Sequence, residues 1–350
     1  MKLYNILGRG SIIMKHNDVS TLITDMGATF TRIAYLDQAG EIHHIRQYPS
    51  AEFLSPIELI EQYLRDVAPP TPQRLLMAIA APIQGDLISL SNNHWRFSLK
   101  EMANRLAVKV EPFNDFAALA ASLDHLTERE VVKIDHLQEE RIANEQCSKS
   151  IRSNAMLPKA VIGSGTGFGS ALLIPSQKGS FTVAAEGGQA LYPPQDQEEI
   201  AIVKLVEQML HRPVTVEDLL GCQRGIPRLI MAMAKIQGQT PVDFSSAKSL
   251  LEAALEKKSP FAIEVLSRYC AMLGNVAANT VLTSGALGGL YIAGGFAPRF
   301  QPFLLASPFR EAFCNRSHID EILTEVPTYL ITHPYATLIG LKQILSNHYQ

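Results

Sequence analysis

Tryptophan occurs once and cysteine four times in 350 residues, and no two cysteines form a Cys-x-x-Cys pair. Scattered as Cys147, Cys222, Cys270 and Cys314, they exclude a zinc ribbon and a disulfide framework. They suit a reducing compartment, so a cytoplasmic location is expected. Long hydrophobic runs are missing, which excludes a membrane partner; the apolar patch Ser11–Met14 has neither the length nor the cleavage site of a signal peptide. Basic clusters are missing too. With 31 Lys and Arg against 34 Asp and Glu, the formal charge is −3, and no basic arm or helix-turn-helix segment points to nucleic acid. The partners expected are small molecules.

What the chain does have is a core-forming composition, 47% hydrophobic and 19% charged, enough at this length for two domains. It also has the run Val161-Ile-Gly-Ser-Gly-Thr-Gly-Phe-Gly169. Alternating glycines permit positive φ and let backbone N–H groups approach a polyanion, so the run reads as a phosphate-cradling turn. Phe168 stands where a Rossmann fingerprint needs its third glycine, strands rather than a helix follow, and no Gly-Lys-Ser/Thr closes a Walker loop.

Hydrophobic patterning alternates strands with helices. Strands are expected at 21–25, 31–36 and 41–46, joined as a meander, and again at 75–80, 108–111, 170–175, 181–185, 289–293 and 328–331. Helices are expected at 57–67, 116–123, 198–210, 226–236, 247–255, 260–282 and 336–346, with a further one opened by the capping-box pattern Ser98-Leu-Lys-Glu101. The charged, weakly patterned stretch from Asp124 to Lys159 is expected to be an excursion. A second turn, Asp25-Met-Gly-Ala-Thr29, lies between strands as the glycine run does. Two such turns facing each other would hold the phosphates of ATP between two domains, as in actin-like ATPases and sugar kinases.

Six motifs in order carry a resemblance: Asp25-Met-Gly-Ala-Thr29, Ala81-Pro-Ile-Gln-Gly85 with Asn93-His-Trp95, Phe113-Asn-Asp-Phe116, Gly163-Ser-Gly-Thr-Gly167, Glu186-Gly-Gly188, and Ile292-Ala-Gly-Gly-Phe-Ala-Pro-Arg299. From about Leu22 to Leu345 the chain resembles the bacterial glucokinase family. The resemblance implies an α/β, two-domain actin-like (ribonuclease H-like) sugar-kinase fold with an interdomain cleft. Residues 21–121 plus 336–350 would form the smaller domain, 122–335 the larger one and 1–20 an N-terminal extension. It implies transfer of the γ-phosphoryl group of ATP, with magnesium, to the 6-hydroxyl of glucose, closure of the domains around the sugar, and allows a homodimer.

By resemblance Asp115 is the catalytic base and, with Asn114, Glu186, Gln189 and Glu217, binds the sugar. Asp25, Gly27, Thr29, Gly165, Thr166, Gly167, Gly294 and Gly295 bind ATP, and Asp25 supports magnesium directly or through water. Read from the residues alone, Asn114-Asp115 also fits a helix cap, Thr215 an N-cap ahead of Glu217, and Gly294-Gly295 a plain turn. The chain departs from the family at Ala28 and Phe30, at Gln189 where His is common, and in Leu220-Gly-Cys-Gln-Arg-Gly225. Two alternatives follow from these departures: a sugar-binding sensor with impaired catalysis, or a kinase for another hexose.

Overall fold

The computed structural model describes residues 20–347 except 82, 91–92, 136–155, 178 and 240–241. The N-terminal extension and most of the expected excursion lie outside the described residues.

Two sheets are built on one plan. In the first, β1 (Thr21–Met26), β2 (Phe30–Leu36) and β3 (Ile42–Pro49) form an antiparallel meander. Strands β4 (Arg74–Ile79) and β7 (Lys109–Asn114) then add in parallel to β1, giving the order β3-β2-β1-β4-β7. The second sheet repeats this with β9 (Lys159–Ser164), β10 (Phe168–Ser176) and β11 (Gly179–Ala185) as meander. Strands β12 (Leu290–Ala293) and β13 (Thr328–Ile331) are parallel to β9, and β8 (Val131–Lys133) closes the far edge. Its order is β11-β10-β9-β12-β13-β8. The turns at 27–29 and 165–167 therefore occupy equivalent places in the two sheets, and the echo seen between them in the sequence is an echo of topology.

Helices fill the crossovers. In the first half, α1 (Pro56–Val67) and α2 (Leu99–Leu106) cover the outer face of the first sheet, and β5 (Leu87–Ser89) with β6 (Arg96–Ser98) forms a small hairpin that the periodicity did not reveal. Next come α3 (Asp115–Ala121), α4 (Gln197–Leu210), α5 (Glu217–Leu220), α6 (Gly225–Ile236), α7 (Ala247–Leu251) and α8 (Pro260–Ser284). Three short helices, α9 (Gln301–Leu305), α10 (Phe309–Cys314) and α11 (Asp320–Glu325), precede α12 (Ala336–Asn347). The expected helix 247–255 ends early: a π-turn takes over at Glu252–Glu256. Only half of the expected capping box forms, for Ser98 Oγ accepts from the Glu101 amide (3.1 Å) but the same hydroxyl donates to Asp86 (2.7 Å).

The pair α3 and α12 lies between the sheets. Ala118 and Ala121 of α3 pack with Leu338 and Leu341 of α12 on the first sheet, while Leu119, Ala120 and Leu123 pack with Ala336 on Tyr291 and Ile331 of the second. Small side chains on α3 let the helices cross closely; a Cβ at Gly340 would stand 1.7 Å from the Ala118 carbonyl oxygen.

Candidate active site

Strand β7 delivers the chain to the site. Asn114 ends the strand and caps α3, its Oδ1 accepting from the Ala117 amide at 2.9 Å. The capping reading of Asn114 is thus correct, and it is compatible with a binding role, since the cap uses only the side-chain oxygen and Asn114 lines the cleft. Asp115 follows as the first residue of α3, and the Phe116 amide donates to its Oδ1 at 2.9 Å. Burial, then the charges of Asp25 and Glu186, push the Asp115 carboxyl up to about 7. Burial also raises Asp25, against the Arg32 guanidinium 2.9 Å away.

Around Asp115 opens a cleft of about 430 Å³, lined by Asn114, Gly165, Thr166, Gly167, Glu186, Gln189 and Glu217 among the expected residues, and by Ala28 from the first turn. Asp25, Gly27, Thr29, Gly294 and Gly295 are not in its wall. Asp25 acts on it through its field at Asp115, Gly27 closes the β1–β2 turn by donating to Phe30 O (3.2 Å), Thr29 is exposed, and Gly294 backs onto Ser164, at the foot of the glycine turn.

The glycine run needs a correction. None of Gly163, Gly165, Gly167 and Gly169 has positive φ; three are glycine because neighbours come too close for a side chain. A Cβ would fall 2.1 Å from Ala293 O at Gly163, 2.7 Å from the Glu217 carboxylate at Gly167 and 2.1 Å from the Phe116 ring at Gly169. At Gly165 a Cβ would meet nothing, so this is the position where bare backbone faces the cleft. The left-handed glycine is Gly294, with φ 91° and Ser164 O 2.3 Å from a would-be Cβ. It is thus more than a plain turn. Ala28, the departure in the first turn, keeps a negative φ and brings no backbone strain.

Glu217 is aimed at the cleft by its neighbours. The Phe168 amide and Gln189 Nε2 both approach Glu217 Oε2, at 3.4 and 3.3 Å, and the Gln189 amide donates to Glu186 O at 2.9 Å. Gln189 therefore ties Glu186 and Glu217 together. Thr215 is not the N-cap its sequence suggests: Val216 precedes α5, and the Thr215 hydroxyl donates to Asp218 (2.9 Å). Burial opposes the Asp218 charge, but Arg212, 2.7 Å away, and Thr215 outweigh it and hold the carboxyl below its usual range; Arg228 adds a bond at 2.8 Å. This network locks the helix that carries Glu217. Arg224 is exposed, and the loop bearing it leans on the glycine turn through Gln223 N to Thr166 O, 3.1 Å.

Sequence reasoning missed Arg32 and Ser170. Arg32 was legible as the cross-strand partner of Asp25 in the β1–β2 register. Ser170 carried no signal, yet its hydroxyl accepts from Gly187 N (3.0 Å) and donates to Ala185 O (3.1 Å), fixing the strand end from which Glu186 projects.

A half-buried carboxyl raised to about 7, two glutamates in the same cleft and a bare turn between strands fit the family that the motifs suggested, and the comparisons decide it. The glucokinase family model matches residues 22–348. The chain belongs to the glucokinase family. It is 32% identical over 332 residues to the glucokinase of Marinobacter nauticus, covering 93% of this chain and 97% of that one. To the glucokinase of Campylobacter jejuni subsp. doylei it is 31% identical over 340 residues, 97% of each. A glucokinase crystal structure from an Antarctic psychrotroph superposes with a TM-score of 0.77 at 30% identity, over 94% of this chain and 99% of that one. The ROK family glucokinase of Streptomyces griseus, solved with glucose and AMPPNP, shares the fold at 17% identity, with a TM-score of 0.59 over 93% and 98% of the chains. The family's fold, the two-domain actin-like ATPase fold, is the one built here from two sheets of the same plan. As a glucokinase family member the chain is a sugar phosphotransferase.

Proposed function

We propose that the protein transfers the γ-phosphoryl group of ATP to the 6-hydroxyl of glucose. The observation that carries the reading is Asp115: a carboxyl poised near 7 at the end of a strand, in one cleft with Glu186, Glu217 and the exposed backbone at Gly165. A general base works best with its pKa near the working pH, and phosphoryl transfer asks for little beyond that base, positioning and charge stabilisation. Asn114, Glu186, Gln189 and Glu217 would pair donors and acceptors with the sugar hydroxyls. Asp115 takes the 6-hydroxyl proton as that oxygen attacks phosphorus. The amides of Gly165 to Gly167, with Thr166, would face the phosphates, supported from behind by Gly294 and Gly295. Gly27 and Thr29 would shape the opposing turn.

Among the described residues no three His, Cys, Asp or Glu side chains cluster as a metal cage. Magnesium binds through one or two carboxylates with substrate phosphates and water. Asp25 is the carboxylate that would hold it, directly or through water, and the ion would supply charge neutralisation on the phosphates. The division into 21–121 plus 336–350 and 122–335 belongs to this proposal, supported by α12 packing with α3 on the first sheet, as do action in the cytoplasm, where ATP and free hexose meet, and assembly as a homodimer.

The test is Asp115→Asn: turnover of ATP with glucose is lost by about 10²- to 10⁴-fold, while glucose still raises the melting temperature. Loss of the thermal shift with turnover retained would contradict the assignment.

A further inference from the structure

Ser164 ends β9 and precedes Gly165, the residue whose bare backbone faces the cleft. Its side chain is buried, as is that of Tyr269 in α8, at 3% and 1% exposure. Ser164 Oγ lies 2.5 Å from Leu220 O and 2.7 Å from the Tyr269 hydroxyl. A carbonyl oxygen only accepts, so the serine's single proton goes to Leu220 and the tyrosine donates to the serine. Burial pushes the Tyr269 hydroxyl well above its ordinary value, which keeps that proton in place. The result is one directed chain, Tyr269 to Ser164 to Leu220, in which each bond polarises the next.

Three segments around the glycine turn meet at this chain. The turn itself starts from Ser164. The 220–225 loop leaves α5 at Leu220 and touches the turn again where the Gln223 amide donates to Thr166 O at 3.1 Å. Gly294 packs against Ser164 O without room for a side chain, and Phe296 and Phe300 beyond it stand edge-on to the Tyr269 ring, with centroids 5.4 and 6.3 Å away. Packing among these rings asks for an aromatic residue in α8 but not for its hydroxyl. A buried hydroxyl has to find a partner, and the one it finds is 105 residues away, at the foot of the turn.

We propose that Tyr269 is a positioning residue for the phosphoryl donor: acting through Ser164, its hydroxyl holds the turn at Gly165–Gly167 where its amides meet the phosphates of ATP. The inference rests on the reading of that turn as the phosphate site. Tyr269 is absent from the wall of the cleft and touches no substrate. Its effect falls on the nucleotide and not on the sugar, because Glu217, at the other end of α5 from Leu220, is held separately by the bonds of Asp218 to Arg212, Arg228 and Thr215.

Tyr269→Phe keeps the ring and its contacts and removes only the donor. Ser164 still donates to Leu220, no buried polar group loses its last partner, and the melting temperature should hold. The dissociation constant for ATP with magnesium, read by calorimetry without hexose, and KM for ATP are expected to rise about fivefold, while KM for glucose stays within about twofold. Ser164→Ala removes both bonds, so adding Tyr269→Phe to it should shift the ATP constants no further. ATP constants unmoved in Tyr269→Phe, an equal rise in KM for glucose, or a Tyr269→Phe effect that persists in Ser164→Ala protein overturns the proposal. In those cases wild type still binds and uses ATP, so the kinase reading survives; wild type that neither binds ATP nor turns it over overturns both.

Discussion

Asp115 carries two opposing consequences of its burial. Raised to about 7 without ligands, it loses base function as it is protonated, so kcat/KM is expected to fall about tenfold per pH unit below that value. Glu186→Gln removes one of the charges that raise it, and should move this acid limb to lower pH while raising KM for glucose; an unmoved limb would show that Glu186 does not face Asp115. Stability runs the other way. The folded-state pKa lies above the unfolded value, so the unfolded chain releases this proton first and stability declines as pH rises from about 4 to 7, by up to about 4 kcal/mol. Asp115→Asn escapes that penalty. Its melting temperature should exceed wild type by a few degrees at pH 8 and match it near pH 4, read by calorimetry at both values.

At the scale of elements, the glycine turn separates packing from binding. Gly163→Ala drives a methyl group into the Ala293 carbonyl and should cost roughly 3 kcal/mol of stability. Gly165→Ala has room, so its melting temperature should hold while KM for ATP rises; thermal melts beside ATP titrations distinguish the two. This contrast also marks what was legible in the sequence. Strand, turn and strand around the run could be read from period-two patterning, as could β1, β2 and the 25-residue α8 opened by Pro260. The reason for each glycine could not, because it lies in residues distant along the chain: Ala293, Phe116 and Glu217. The β5–β6 hairpin and β8 escaped because strands of three residues are too short to show a period. Thr215 misled because a Thr before an acidic turn caps helices in general, whereas here Asp218 takes its hydroxyl. Asp115 was legible as a residue by resemblance; its pKa was not, since that rests on burial and on carboxylates far away in sequence.

For the whole molecule, the two sheets are linked by α3 and α12, and their close crossing at Gly340 makes the junction sensitive. Gly340→Ala places a methyl group on the Ala118 carbonyl; it should lower the melting temperature and, by displacing α3, lower kcat as well. Closure of the two sheets' units around sugar is expected to reduce the radius of gyration in X-ray scattering when glucose is added without ATP, and an unchanged radius at saturating glucose would count against closure. The repeated plan of the sheets was foreshadowed by the paired turns at 27–29 and 165–167, while the helix pair between them was not, because nothing local in α3 tells that it serves two cores. The central claim is the reaction itself. Purified protein with ATP and magnesium, assayed against glucose, mannose, fructose and glucosamine with the product's phosphate located by NMR, should show the highest kcat/KM for glucose and the phosphate on its 6-hydroxyl. Turnover confined to another hexose, or none with any, would contradict it.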